Sequence, residues 1–184
     1  MNPIYFGMGS NLGEREQSLR KGLEQLQTSG VPICRISSLY ETDPVGYASQ
    51  PSFLNIAAEA RWAGSAENLL EICWRAEQAL GRIRGVRDGP RTLDVDILMM
   101  GSLVLATPSL QIPHPRLAAR RFVLVPLSEI APDAVHPVLG LSVRELLRRC
   151  PDTSGVRRAG DPPTVEAPGA SGYNPAASRG EKNG

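Results

Sequence analysis

Two carboxylates, Asp94 and Asp96, stand two residues apart in the run Arg91-Thr92-Leu93-Asp94-Val95-Asp96-Ile97-Leu98. Alternate side chains of a strand share a face, so both aspartates point one way. Leu93, Val95 and Ile97 point the other way, toward a core. Carboxylates roughly 7 Å apart at Cβ repel one another, and a hard divalent cation relieves that repulsion. Mg²⁺ takes one or two carboxylates and completes its shell with phosphate oxygens and water. Two such ions ~3.5–4 Å apart are a common clamp for phosphate transfer. Taken alone, the pair fits a solvated strand face equally well.

The residues just upstream favour phosphate. Arg82, Arg84, Arg87 and Arg91 fall within one short stretch that Gly81, Gly85, Gly89 and Pro90 mark as a loop, and Asp88 is its one acid. Guanidinium forks match phosphate oxygens two at a time. A second basic group follows His114, which is fixed between Pro113 and Pro115 and accompanied by Arg116, Arg120 and Arg121. His136 lacks such company and reads as structural. Phe53 and Asn55 share a strand face, where a flat heterocycle could stack on the ring and pair with the amide. Gly9-Ser10-Asn11-Leu12-Gly13 matches neither GxGxxG nor the P-loop. Its Asn11 and Glu14 have capping-box spacing, so helix capping is the expected use.

These residues need a scaffold, and the periodicities supply one. Strands are predicted over 3–8, 31–42, 53–62 and 93–100. Helices are predicted over 13–28, where Leu19, Leu23 and Leu26 repeat, and behind Ser65, with Leu69, Leu70, Cys73, Ala76 and Leu80 as the stripe. Gly101-Ser102 would turn the chain into a strand at 103–105. A short helix falls within 116–131, and a last one follows Ser142. The order is a split βαβ unit repeated once. The expected class is α+β: a ferredoxin-like α/β sandwich, with a mostly antiparallel sheet covered by helices, an added hairpin and C-terminal helices.

The chain has 184 residues, 41% hydrophobic and 21% charged, enough for one packed domain. Residues 1–150 read as that domain. Residues 151–184 hold five Pro and six Gly and almost no large aliphatics, so a disordered Pro/Gly-rich tail is expected. A formal charge of +1 argues against a protein that coats nucleic acid. Cys34, Cys73 and Cys150 form no CxxC and suggest reduced, mostly buried thiols. No leader and no run of ~20 apolar residues is visible, which points to the cytoplasm and away from a membrane.

The run from Arg87 to Leu98 resembles the signature of the 6-hydroxymethyl-7,8-dihydropterin pyrophosphokinase family. Gly9-Ser10-Asn11-Leu12-Gly13, the segment 37–55, Pro113-His114-Pro115-Arg116 and the segment 122–132 match in the same order, so the resemblance spans about residues 3–150. It implies transfer of pyrophosphate from ATP to the pterin hydroxymethyl group, with AMP as the other product. Asp94 and Asp96 would then hold two Mg²⁺ ions. Arg82 and Arg91 would stabilise charge on the phosphoryl oxygens. His114 and Arg120 would bind ATP phosphates, with Glu77, Arg84 and Ile97 lining the nucleotide site and Arg87 also binding ATP. Asn55 would read the pterin edge, Phe53 and Phe122 would sandwich its ring, and Thr42 and Val45 would complete recognition. The implied partners are ATP and the pterin alone, bound by a monomer. The sequence departs from the family pattern at Asp88, Trp74, Pro115 and Ser109. The alternatives are another two-metal nucleotidyl- or phosphoryl-transfer enzyme, or a ferredoxin-like RNA-binding module. The first would not need Phe53 and Asn55, and the second lacks the aromatic RNP1 pattern.

Overall fold

Ile4, Phe6 and Met8 alternate with Tyr5, Gly7 and Gly9, the two-residue period of a strand covered on both faces. Asn2–Ser10 accordingly forms β1 inside the main sheet. The computed structural model describes residues 2–43, 50–81 and 89–165. Along the chain follow α1 (Arg15–Thr28), β2 (Ile33–Ile36), β3 (Leu39–Thr42), β4 (Phe53–Trp62), α2 (Ala66–Ala79) and β5 (Asp94–Met100). Then come β6 (Leu105–Ala106), β7 (Gln111–Ile112), a 3-10 turn (Leu117–Ala119), α3 (Arg121–Ile130), α4 (Val143–Arg149) and β8 (Val156–Gly160).

The sheet order is β5-β1-β4-β3-β8, with β2 also pairing β4. β1 is antiparallel to both β4 and β5. The first four strands of this order are the ferredoxin-like arrangement expected from the repeated split βαβ unit.

Each sheet face has its own core. Leu19, Leu23 and Leu26 of α1 and Leu69 and Cys73 of α2 pack on Ile4, Phe6, Met8, Val95 and Ile97. On the other face Val123, Leu124 and Leu127 of α3 and Leu146 of α4 pack on Ala57, Leu98 and Met99. Each fully buried leucine contributes about 1.5–3 kcal/mol against the entropy of ordering the chain. A bulge between β1 and β5 leaves Leu98 out of the register. The Leu98 carbonyl accepts the His114 backbone N–H at 2.9 Å, so this point of the sheet also anchors the histidine.

Several expectations hold. Ser65 Oγ accepts from Asn68 N and caps α2. Ser142 and Glu145 form a reciprocal capping box on α4. Gly30 ends α1 with φ +85°, a conformation suited to glycine.

Others are corrected. The strand expected over 31–42 is two strands, interrupted at Ser37-Ser38. There Ser37 Oγ accepts from Ala57 N, and Glu129 accepts from Ser38 N and Oγ. The helix expected from residue 13 starts at Arg15, and Glu14 caps it without a side-chain bond, so Asn11 forms no capping box. β6 pairs with β7 across residues 107–110 instead of folding back on β5. The three thiols are unpaired as expected, but Cys73 alone is buried, with Cys34 exposed and Cys150 half-buried.

The largest correction concerns the C-terminus. Residues 156–160 of the expected tail form β8, paired antiparallel to β3 from Leu39 to Thr42. Composition missed it because an edge strand is held by main-chain bonds and needs few apolar side chains. Arg158 Nε donates to Ser38 Oγ at 2.9 Å. Arg157 lies 3.8 Å from Glu41. Residues 166–184 lie outside the described residues.

Candidate active site

The chemistry-bearing residues form a row across the sheet. Asp94 of β5 pairs with Gly9 of β1, Gly9 with Asn55 of β4, and Asn55 with Tyr40 of β3. Asp96 pairs with Gly7, one step along the same face. Phe53 and Thr42, paired with each other, lie one step the other way. Register thus sets the carboxylate pair and the amide on either side of a bare glycine backbone. A Cβ on Gly9 would meet Asn55 Oδ1 at 2.8 Å and Phe53 Cδ1 at 3.6 Å, so a larger residue there would push the Asn55 side chain out of place.

Each carboxylate has its own arginine. Arg91 Nη1 lies 3.1 Å from Asp94 Oδ1. Arg120 Nη1 lies 3.4 Å from Asp96 Oδ2. Each arginine also lies over an aromatic ring, Arg91 5.8 Å from the centre of Phe53 and Arg120 5.4 Å from that of Phe122. Burial and the neighbouring Asp94 charge hold Asp96 above the usual carboxylate range, against the pull of Arg120, Arg91 and Arg116. A carboxylate disfavoured in this way gains when a cation arrives.

His114 Nε2 faces Asp96 Oδ2 at 3.8 Å. Burial, then Arg120 and Arg116, push its pKa down to about 4. Its Nδ1 accepts from Arg116 N at 3.1 Å, which leaves the proton on Nε2. At neutral pH His114 is therefore an uncharged donor aimed at the carboxylates.

Beside β5 opens a cavity of about 470 Å³. Asp94, Asp96, Ile97, Glu77 and His114 line it, with Trp74, Ser109 and Pro115 on its wall. Glu77 is buried on α2 and accepts from Val95 N at 2.8 Å, which fixes α2 against the strand carrying the aspartates.

On the other side of Gly9, Asn55 Nδ2 donates to Thr42 Oγ1 at 2.7 Å, both residues buried. Glu41, next to Thr42, accepts from Arg15 Nη1 at 3.0 Å and from Ser52 Oγ at 2.9 Å. The structure thus brings together Asp94, Asp96, Arg91, Arg120, His114, Glu77 and Ile97, and beside them Phe53, Asn55, Thr42 and Phe122. Val45, Arg82, Arg84 and Arg87 lie outside the described residues. Sequence reasoning missed Gly9 and gave Asn11 the wrong task. Glycines at 7 and 9, one strand period apart in an apolar run, were the available signal for Gly9.

A family model described as 7,8-dihydro-6-hydroxymethylpterin-pyrophosphokinase (HPPK) matches residues 5–132. The chain belongs to this family. It is a pyrophosphokinase of folate biosynthesis, and so an ATP-dependent diphosphokinase. A relative named 2-amino-4-hydroxy-6-hydroxymethyldihydropteridine pyrophosphokinase from Bacillus subtilis is 47% identical over 130 residues, covering 70% of this chain and 78% of the relative. The protein of the same name from Methylorubrum extorquens is 40% identical, covering 86% of this chain and 99% of its own. The folic acid synthesis protein fol1 of Pneumocystis carinii is 37% identical, but this chain spans only 20% of it. The solved Plasmodium falciparum HPPK-DHPS with pteroate superposes with a TM-score of 0.66 at 14% identity, over 80% of this chain and 42% of that one, and supports the fold.

Proposed function

We propose that the chain transfers the pyrophosphoryl group of ATP to 6-hydroxymethyl-7,8-dihydropterin. The hydroxymethyl oxygen forms a bond to the β-phosphorus, the bond from that phosphorus to the α,β-bridging oxygen breaks, AMP leaves, and the hydroxyl proton passes to solvent. The observation that carries this reading is the register row. It sets the two aspartates and the Asn55 amide on one face, about two strand spacings apart (~10 Å).

The donor set fits Mg²⁺. Asp94 and Asp96 offer hard oxygens, and among the described residues no group of three or more His, Cys, Asp or Glu could hold a metal unaided. Two carboxylates that leave the rest of the shell to substrate oxygens suit an ion delivered with ATP. Bound there, two Mg²⁺ ions would supply charge neutralisation of the phosphates.

The chain's own groups do the positioning. Arg91 and Arg120 neutralise phosphoryl oxygens, and His114 donates from Nε2 to a phosphate oxygen. Glu77 and Ile97 bound the nucleotide cavity. Phe53 and Phe122 stack the pterin, and Asn55, aligned by Thr42, reads its edge. Arg82, Arg84, Arg87 and the Val45 backbone complete the two sites. Phosphoryl transfer asks mainly for such positioning and charge compensation.

The proposal takes ATP and the pterin as the only partners of a monomer in the cytoplasm, with no nucleic acid. No described helix is long and apolar enough to cross a membrane. The test is incubation with ATP, Mg²⁺ and the pterin. Pterin-dependent AMP supports the reading. ADP in its place, or turnover independent of pterin, overturns it.

A further inference from the structure

Asn11 is buried, and one side-chain amide of this residue touches both lead-ins to the site. Its Nδ2 donates to Gln50 Oε1 at 3.0 Å and to Pro51 O at 3.2 Å. Its Oδ1 accepts from Arg91 N at 2.8 Å, and its own backbone N–H donates to Arg91 O at 3.1 Å. Pro51 stands two residues before Phe53, and Arg91 three before Asp94. Both donors and the acceptor of the amide are thus engaged by segments far apart in sequence.

We propose that Asn11 is a positioning residue that couples the pterin and nucleotide sites, joining the lead-in to β4 with the lead-in to β5. The proposal rests on the function proposed above. Arg91 moves when its guanidinium exchanges Asp94 for a phosphate, and its main chain carries Asn11 with it. Gln50 and Pro51 follow, and with them Phe53 and Asn55.

Three buried polar atoms also gather at this junction. The buried side-chain polar atoms without a hydrogen-bond partner among the described residues are Ser10 Oγ, Arg91 Nε and Thr92 Oγ1. Ser10 adjoins Asn11, and Thr92 adjoins Arg91.

The test is the reciprocal effect of one ligand on the other. The probes are the α,β-methylene analogue of ATP with Mg²⁺ and the pterin, with pterin Kd measured by calorimetry with and without the analogue. In the unaltered protein the analogue should tighten pterin binding by about 5- to 150-fold, the usual range of such coupling. Asn11→Asp keeps the acceptor for Arg91 N but removes both donors to Gln50 and Pro51. Its coupling should fall to within about twofold of none, with each ligand still bound alone. Should Asn11→Asp fail to fold, Gln50→Ala removes one acceptor and should lower the coupling partway. Coupling retained in a folded Asn11→Asp, or in Gln50→Ala, would overturn the proposal. So would its absence from the unaltered protein. Pterin-dependent AMP formation is scored separately: if it persists while coupling fails, only this inference falls.

Discussion

Gly9→Ala should damage pterin recognition while leaving the fold intact. The new methyl would sit 2.8 Å from Asn55 Oδ1. An ordinary carbon–oxygen contact is about 3.3–3.6 Å, so Asn55 must retreat by about 0.5 Å or more. The Asn55–Thr42 bond at 2.7 Å has no slack on a strand pair already in register. Leaving a buried donor unpaired costs about 1–3 kcal/mol. At about 1.4 kcal/mol per decade that is a 5- to 150-fold fall in kcat/KM for the pterin. Stability falls by no more than about the same 1–3 kcal/mol, because replacing a strand glycine by alanine returns about 0.5–1 kcal/mol of chain entropy against the strain. Gly7→Ala is the comparison. Its methyl meets Leu98 Cδ2 at 3.3 Å, the far end of a side chain that can turn aside. Steady-state kinetics with the pterin varied at saturating ATP, beside thermal melts of both variants, make the measurement. An unchanged pterin KM in a folded Gly9→Ala, or an equal loss in Gly7→Ala, would refute the packing argument.

Asp94→Asn and Asp96→Asn keep shape and remove charge from the proposed metal clamp, so turnover should fall by orders of magnitude with melting temperature held or raised; near-normal turnover in Mg²⁺ would sink the assignment. A chain ending at Gly155 loses β8 and exposes the edge of β3 that carries Thr42. It should melt several degrees lower and bind pterin more weakly, whereas an unchanged melt would show that β8 adds nothing. His136 accepts on Nδ1 from Val138 N and Leu139 N, and burial lowers its pKa below the usual value. The fold therefore binds this proton less well than the unfolded chain. The stability from His136 is fully present above about pH 6.5 and is lost as pH falls through that value toward the lowered folded pKa. Asn at this position keeps an acceptor without titrating, so His136→Asn should lose less melting temperature than the unaltered protein between about pH 7.5 and about pH 5.5; equal losses would argue against the assignment.

What was legible in the sequence was local. Asp94 and Asp96 declared a shared face because strand geometry leaves no choice, and the apolar residues between them declared the opposite face. Ser65 and Ser142 announced helix starts because a cap and its partner lie within one turn. Phe53 and Asn55 followed from the same two-residue period. Each of these inferences needs only a few neighbouring residues, and the sheet order followed from the order of elements.

What was not legible depends on partners far along the chain. β8 has one large aliphatic residue, Val156, and owes its place to main-chain bonds with β3 more than a hundred residues earlier. Asn11 has the residue type and spacing of a cap, but its side chain is claimed by Arg91, 80 residues away. Two uses of one amide compete, and the burial of Asn11 itself, beside Gln50, Pro51 and Arg91, decides between them. An exposed Asn11 would cap α1, because helix N–H groups would be its nearest partners. In the folded chain the crowded end of β1 offers three partners at once, and Glu14 takes the cap position without a bond of its own. Placing one polar side chain where two substrate-bearing strands begin costs α1 a cap and gives the active site a joint.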